Sequence, residues 1–315
     1  MEAKTLGTLE EGKDYFKVAP GVWGMKIVFV NIFMIADNDR WVLVDAGLPG
    51  SANRIKKMAA DLFGENKPPA SIIFTHGHFD HRGAINNLLK IWNVPVYAHP
   101  LELPYLTGKS AYPPADPTVG GGMMTLLSVL YPRRPINLGS HIQALPENGS
   151  VPFLPDWLYI FTPGHAPGHI SLFRTRDKVL IAGDAFVTTK QESAFGALVQ
   201  PKCLSGPPKY FTPDWVASKE SVKKLRDLHP VIAATGHGKP MQGKELTLGL
   251  DNLFENFKEI AVPAHGRYVN EPARANKRGV QYIPSNPIGS LTAVTVFALT
   301  GLAAFTAIRY LGKQH

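Results

Sequence analysis

One six-residue string constrains this chain more than any other feature: His76-Gly77-His78-Phe79-Asp80-His81, directly after the short apolar run Ser71–Phe74. Imidazole nitrogens and carboxylate oxygens are suitable ligands for zinc and other first-row metals. With 11 histidines in 315 residues, H-x-H-x-D-H arises by chance in about one such chain in two thousand. A strand running into a turn presents His76 and His78 to one point, because alternate residues share a face. Asp80 and His81 then face a second point. Four groups cannot fill two metal shells, so the fold has to return further donors from distant parts of the chain. His165, Asp184 and His237 are the supply, and a carboxylate such as Asp184 can bridge two cations.

Each of these residues also has an ordinary reading. Asp80 would cap a helix starting near Arg82. Asp184 would be a turn residue, His165 a loop histidine packed beside prolines, and His237 a plain turn between glycines. The metal reading rests on the set. Five short strings each follow a predicted strand: WVLVDAG ending in Asp45 and Gly47, THGHFDH, TPGH at His165, AGD at Asp184 and ATGHG at His237. Loops after strand ends are where rigid scaffolds place functional groups.

Around these strings, strand and helix signals alternate. Val28–Ala36 and Trp41–Asp45 read as a hairpin. Residues 51–63 read as a helix with Ser51 as N-cap. Further strands are predicted over 71–74, 94–97, 158–162, 170–174, 179–182 and 231–234. Helices are predicted over 82–91, 123–131, 213–228 and 244–260. Hairpins and strand-helix-strand units both occur, which implies an α+β fold with helices packed over mixed sheets. No repeat appears at a 20–50-residue period.

Composition sets outer limits. Apolar residues at 44% suffice for a core. The single cysteine, Cys203, excludes an intramolecular disulfide and any CxxC zinc site. The net charge of +8 contains no run of five like charges, so it does not choose among anionic substrate, lipid and nucleic acid. The N-terminus carries no apolar signal region. At the other end, 288–308 holds no charged side chain, and its 14 apolar residues lie all round a helix. That length spans the roughly 30 Å of a bilayer core, so the segment is expected to be a transmembrane helix. The alternative is a buried C-terminal or dimer helix. Arg274, Lys277 and Arg278 before it outnumber Arg309 and Lys313 after it, which favours a cytoplasmic catalytic domain. Residues 263–287, with four prolines, read as a linker.

Taken together, the five strings identify the chain as a member of the metallo-β-lactamase-fold superfamily, resembling its motifs in order over about residues 15–262. The resemblance implies a four-layer αββα sandwich over 1–262, with the metals at one sheet edge. It implies that His76, His78 and His165 form one metal site, that Asp80, His81 and His237 form a second, and that Asp184 bridges them. Asp45 would support the site without ligating, and His169 would do the same. The Pro/Gly-rich insert 100–149 and the string SGPPKYFTPDW look most like the uncharacterised YflN-like hydrolase branch of Bacillus-type bacteria. His78 stands where the diiron flavoprotein branch carries Glu, which favours zinc. Asp184 stands where true β-lactamases of the fold usually carry Cys or Ser, which disfavours antibiotic hydrolysis. Val187 stands where lactonases place a Tyr, so lactone cleavage lacks one helper.

The resulting expectation is a dinuclear zinc hydrolase, with iron or manganese as other occupants, cleaving a small ester, thioester or lactone. Asp80 would position the nucleophile and pass its proton on. Pocket walls are expected from Gly21–Met25, 100–149 and 188–210, with Tyr105, Tyr112, Tyr131 and Tyr210 as lining. The alternatives are a mononuclear iron persulfide dioxygenase, whose pattern also contains HxHxDH, and a phosphodiesterase of the same fold. The expected partners are a small-molecule substrate and, through the C-terminal helix, membrane lipid. Nucleic acid is not favoured, and the sequence specifies no oligomeric state.

Overall fold

The computed structural model describes residues 6–286. The apolar run 288–308 lies outside the described residues. Among the described residues, no helix is long and apolar enough to cross a membrane.

Two mixed sheets form the body. The first holds β1 (Tyr15–Ala19), β2 (Val22–Ile27), β3 (Val30–Asp37), β4 (Arg40–Val44), β5 (Ser71–Ile73), β6 (Val96–Ala98) and β7 (Ile142–Ala144), neighbours in chain order. β1 to β4 form an antiparallel meander, and β4 to β7 run parallel. The second holds β8 (Ser150–Val151), β9 (Leu154–Phe161), β10 (Ile170–Arg174), β11 (Val179–Ile181), β12 (Ile232–Ala234) and β13 (Met241–Gln242), again in order from one edge. Here only β11 and β12 pair in parallel.

Strand alternation decides the layers. In β3, Phe33 and Ile35 pack toward the second sheet, meeting Val22, Val42, Ile73, Leu172 and Ile181. Ile32 and Met34 face the other way, onto Ile55 and Met58 of α1 (Ala52–Phe63). The second sheet shows its outer face, Phe173, Leu180 and Ala233, to two later helices. Between them lie α2 (Phe79–Arg82), α3 (Ile85–Trp92), α4 (Leu103–Leu106), α5 (Met123–Leu127) and α6 (Ala194–Val199). α7 (Trp215–Asp227) and α8 (Gly243–Glu255) then cover that face through Val222, Leu225, Leu246 and Leu250, and α9 (Phe257–Ile260) follows. The order is helix, sheet, sheet, helix, so the α+β expectation holds. Each buried Leu, Ile or Val stabilises this stack by about 1.5–3 kcal/mol.

Several local expectations need correction. The first hairpin, β1–β2, carries no clean alternation because Gly24 interrupts it under the Phe16 ring. Gly21–Met25 is therefore no pocket wall: Gly21 is the β1–β2 turn, and Met25 is fully buried in β2. The turn that approaches the site is Val28–Phe29, with Val28 at φ 60°. Ser51 makes no cap bond; its Oγ donates to the Leu48 carbonyl at 2.7 Å. The predicted helix 82–91 is split into α2 and α3 at Gly83, where a Cβ would collide with Pro49. The segment read as a linker carries an antiparallel pair, β14 (Arg274–Asn276) and β15 (Gly279–Tyr282). It packs back on the insert: Tyr268 Oη donates to the Pro114 carbonyl at 2.6 Å and Val280 N–H to Ser110 Oγ at 3.1 Å. Proline content suggested a linker, but Tyr268 and Val280 supply the buried contacts that tie the segment down.

Candidate metal centre

The C-terminal ends of β4, β5, β9, β11 and β12 converge, and the loops leaving them carry the polar strings. All seven predicted donors meet there and are buried: His76 and His81 have no exposure and His78 and Asp80 have 6%. His76 Nε2 lies 3.0 Å from His78 Nδ1, which lies 3.0 Å from His165 Nε2. Asp184 Oδ2 stands 3.5 Å from His81 Nε2, 3.5 Å from His165 Nε2 and 3.1 Å from His237 Nε2. Asp80 Oδ2 stands 3.5 Å from His237 Nε2. Three overlapping groups have donor atoms within 4.8 Å of one another: His76, His78, His165; His76, His81, Asp184; and Asp80, His81, His237.

The far side of each ring sets its tautomer. His237 Nδ1 donates to the Phe29 carbonyl at 2.8 Å, and a carbonyl can only accept. His81 Nδ1 donates to Asp45 Oδ2 at 2.8 Å. Thr212 Oγ1 gives its proton to the Pro208 carbonyl, so at 3.3 Å it accepts from His165 Nδ1. Thr75 Oγ1 gives its proton to Asp45 Oδ2 at 2.8 Å, so at 3.1 Å it accepts from His76 Nδ1. In neutral rings the inward nitrogens of His76, His81, His165 and His237 are therefore bare lone pairs. His81 Nε2 and Asp184 Oδ1 have no hydrogen-bond partner among the described residues. Converging lone pairs with no proton between them fit a cation and little else.

Electrostatics separate the rings: His76, His78 and His165 are lowered, whereas His81 and His237 are raised because the carboxylates outweigh burial. Burial pulls His76 and His78 well below the ordinary histidine pKa, aided by the neighbouring imidazoles, and leaves His165 at about 3. Burial also lowers His81, but Asp184, Asp45 and Asp80 outweigh it and hold His81 well above its ordinary value. Burial raises Asp184, but His237 and His81 outweigh it and keep that carboxyl well below the usual range. Burial raises Asp80.

The supporting frame is as ordered as the donors. Asp45, at φ 62°, accepts from Thr75 N–H at 2.8 Å as well as from Thr75 Oγ1 and His81. His169 Nε2 accepts the Asp184 N–H at 2.8 Å, and its Nδ1 meets Thr162 Oγ1 at 2.9 Å, so it holds the Asp184 backbone. Gly236 stands against Asp184 Oδ1 where any side chain would collide. The Val28–Phe29 turn holds a β-branched residue in the left-handed region, a cost of about 1–3 kcal/mol; its return is the Phe29 carbonyl on His237 and the Phe29 ring stacked at 6.1 Å.

One fully buried residue escaped the sequence reading. Glu102, in the insert, accepts Gly77 N–H at 2.9 Å on Oε2 and Gly168 N–H at 2.7 Å on Oε1. Gly77 separates His76 from His78, and Gly168 precedes His169. On its other side the Gly77 carbonyl accepts from Arg82 Nε at 2.6 Å. Glu102 thus pins both histidine loops, and Tyr112 Oη donates to it in a short contact. Tyr112 and Tyr105 are buried and stacked at 3.9 Å, so they pack beneath the site rather than line a pocket. Tyr131 stays half-buried, in an aromatic group with Phe79, Tyr210 and Phe211 beside His78.

With this geometry established, likeness to known proteins is informative. The model of the metallo-β-lactamase superfamily matches residues 25–237. The probable metallo-hydrolase YflN of Bacillus subtilis is 49% identical over 248 residues, covering 78% of this chain and 94% of its own. The probable metallo-hydrolase YybB of the same organism is 28% identical over 228 residues, covering 72% and 86%. A metallo-β-lactamase family protein of Thermus thermophilus, TTHA1429, shares the fold with TM-score 0.53 at 18% identity, covering 77% and 81%. The chain belongs to the metallo-β-lactamase superfamily.

Proposed function

We propose that the protein is a dinuclear zinc-dependent hydrolase of a small ester, thioester or lactone. The observation that carries this reading is the set of inward lone pairs, fixed by outward hydrogen bonds, in overlapping groups that share His76 and His81. His76, His78 and His165 would hold one cation, Asp80, His81 and His237 a second, with Asp184 between them. Bound there, divalent cations lower the pKa of water to about 7 and stabilise negative charge on a reacting oxygen. Asp80 sits at the less buried edge of the set, where its carboxylate can orient the nucleophile and carry a proton to the leaving group. Phe79, Tyr131 and Phe211 exclude water from that edge. Iron and manganese suit the same donors. A dioxygenase would hold one iron with two histidines and one aspartate of the same HxHxDH-containing pattern, and metal content per chain separates it from the hydrolase.

The charge-free run 288–308 supports a membrane anchor, with the catalytic domain on the cytoplasmic side. The expected partners are a small-molecule substrate and membrane lipid; nucleic acid is not favoured. The test loads metal-free full chain with zinc and assays a thioester, a lactone, an aryl ester and a phosphodiester. Zinc-dependent cleavage of an acyl bond is expected. Cleavage of the phosphodiester alone overturns the acyl reading, and no cleavage by the loaded chain overturns the hydrolase.

A further inference from the structure

Two short helices beside the site are built inside out. α5 and α6 bury Thr125, Gly196 and Ala197, while Met123, Leu126, Phe195, Leu198 and Val199, with Leu130 in the turn after α5, are between 45% and 69% exposed. A helix on a soluble surface does the reverse. The two helices adjoin: Met124 N–H donates to the Glu192 carbonyl at 3.1 Å, two residues before α6 begins. α6 is tied to the site through Gln200, whose Nε2 donates to the Phe29 carbonyl at 2.9 Å. A contiguous exposed apolar patch of this kind marks an interaction surface.

Beyond α6 the surface changes character. A cavity of about 670 Å³ opens there, with Gly238, next in chain to His237, in its wall. Lys26, Arg54, Lys202 and Lys239 line it against a single carboxylate, Asp14. Asp14 pairs with Arg54 at 3.0 Å, and Lys26 Nζ reaches back to the Leu198 carbonyl at 2.6 Å, so the basic cleft and the apolar patch share α6 as their border.

We infer that this face of the catalytic domain docks on an anionic lipid bilayer, α5 and α6 entering the acyl boundary and the basic cleft receiving headgroup phosphates. Aliphatic side chains beside a cationic rim match that interface. A nucleic acid would call for exposed stacking rings in the patch, and Phe195 is its sole aromatic among the six. A second copy related by a two-fold axis would bring two basic clefts together. The inference goes beyond the hydrolase reading and requires no bound metal.

The test uses the full chain with Cys203→Ser, reconstituted into phosphatidylcholine vesicles with and without phosphatidylglycerol. An environment-sensitive thiol fluorophore is placed by Leu130→Cys or Leu198→Cys. Arg176→Cys is the control, because Arg176 follows β10 at the end opposite His169. At 130 and 198 the emission should shift to the blue and be quenched by spin-labelled lipid, more strongly with phosphatidylglycerol. At 176 neither change should occur. Lys202→Glu with Lys239→Glu should remove the gain from anionic lipid. Emission unchanged from water overturns the inference. A blue shift without lipid quenching also overturns it, because the patch is then covered by the tail or a second copy. Equal quenching at 176, or a shift produced by an added oligonucleotide instead of by vesicles, overturns it as well.

Discussion

At the strand ends, polar side chains are buried; on α5 and α6, large apolar side chains stand in water. Both regions reverse the usual distribution, and they differ in how the reversal is supported. Four of the five clustered histidines have an outward ring nitrogen engaged by Asp45, Thr75, Thr212 or Phe29, and Glu102 pins the loops between them. In neutral rings the donors can face one another because the surrounding groups hold each proton on the outward nitrogen. Nothing comparable covers Leu130 or Phe195 among the described residues. The first region is supported by its own neighbours, and the second has no such cover among the described residues.

Breaking the first region should have the largest effect. His81→Ala should remove one metal per chain and cost several kcal/mol of transition-state stabilisation, on the order of 10³-fold in turnover. Turnover at wild-type level with one metal bound would contradict the dinuclear arrangement. Next comes Glu102→Ala, which leaves Gly168 N–H and Tyr112 Oη without their acceptor and Gly77 N–H with Tyr112 Oη alone. It should cost about 2 kcal/mol of stability in denaturant unfolding. Tyr112→Phe, which spares the carboxylate, should cost less. Asp45→Asn keeps the shape but weakens the acceptor for His81 and Thr75, so zinc affinity by competition titration should fall about 10–100-fold. The smallest effect sharpens the contrast. Leu130→Ser and Phe195→Ser remove little buried surface, so unfolding free energy should stay within about 0.5 kcal/mol. A larger loss would mean that these side chains are core.

Much of this was legible because strands and metal donors leave periodic or spaced signals. The β3–β4 hairpin, the packing of helices over mixed sheets and the gathering of His76, His78, Asp80, His81, His165, Asp184 and His237 follow from apolar runs ending in polar strings, and the αββα layering from the family resemblance those strings carry. The rest was not legible, for identifiable reasons. Glu102 stands alone in a Pro/Gly-rich insert, and its work is done on the backbone N–H groups of two distant glycines, which leave no spacing in the sequence. The Phe29 carbonyl that orients His237 carries no residue identity. The β2–β3 turn was misplaced because Val28, a strand former by propensity, occupies a left-handed conformation. Residues 263–286 looked like a linker because proline content reports the absence of helix, not the presence of Tyr268 and Val280 contacts.

The measurement closest to the central claim is metal content per chain, by elemental mass spectrometry, on full-length protein purified without added metal. The inward lone pairs predict about two zinc ions per chain. One iron per chain, with little zinc, would contradict the dinuclear hydrolase and point to oxygen chemistry at the same donors.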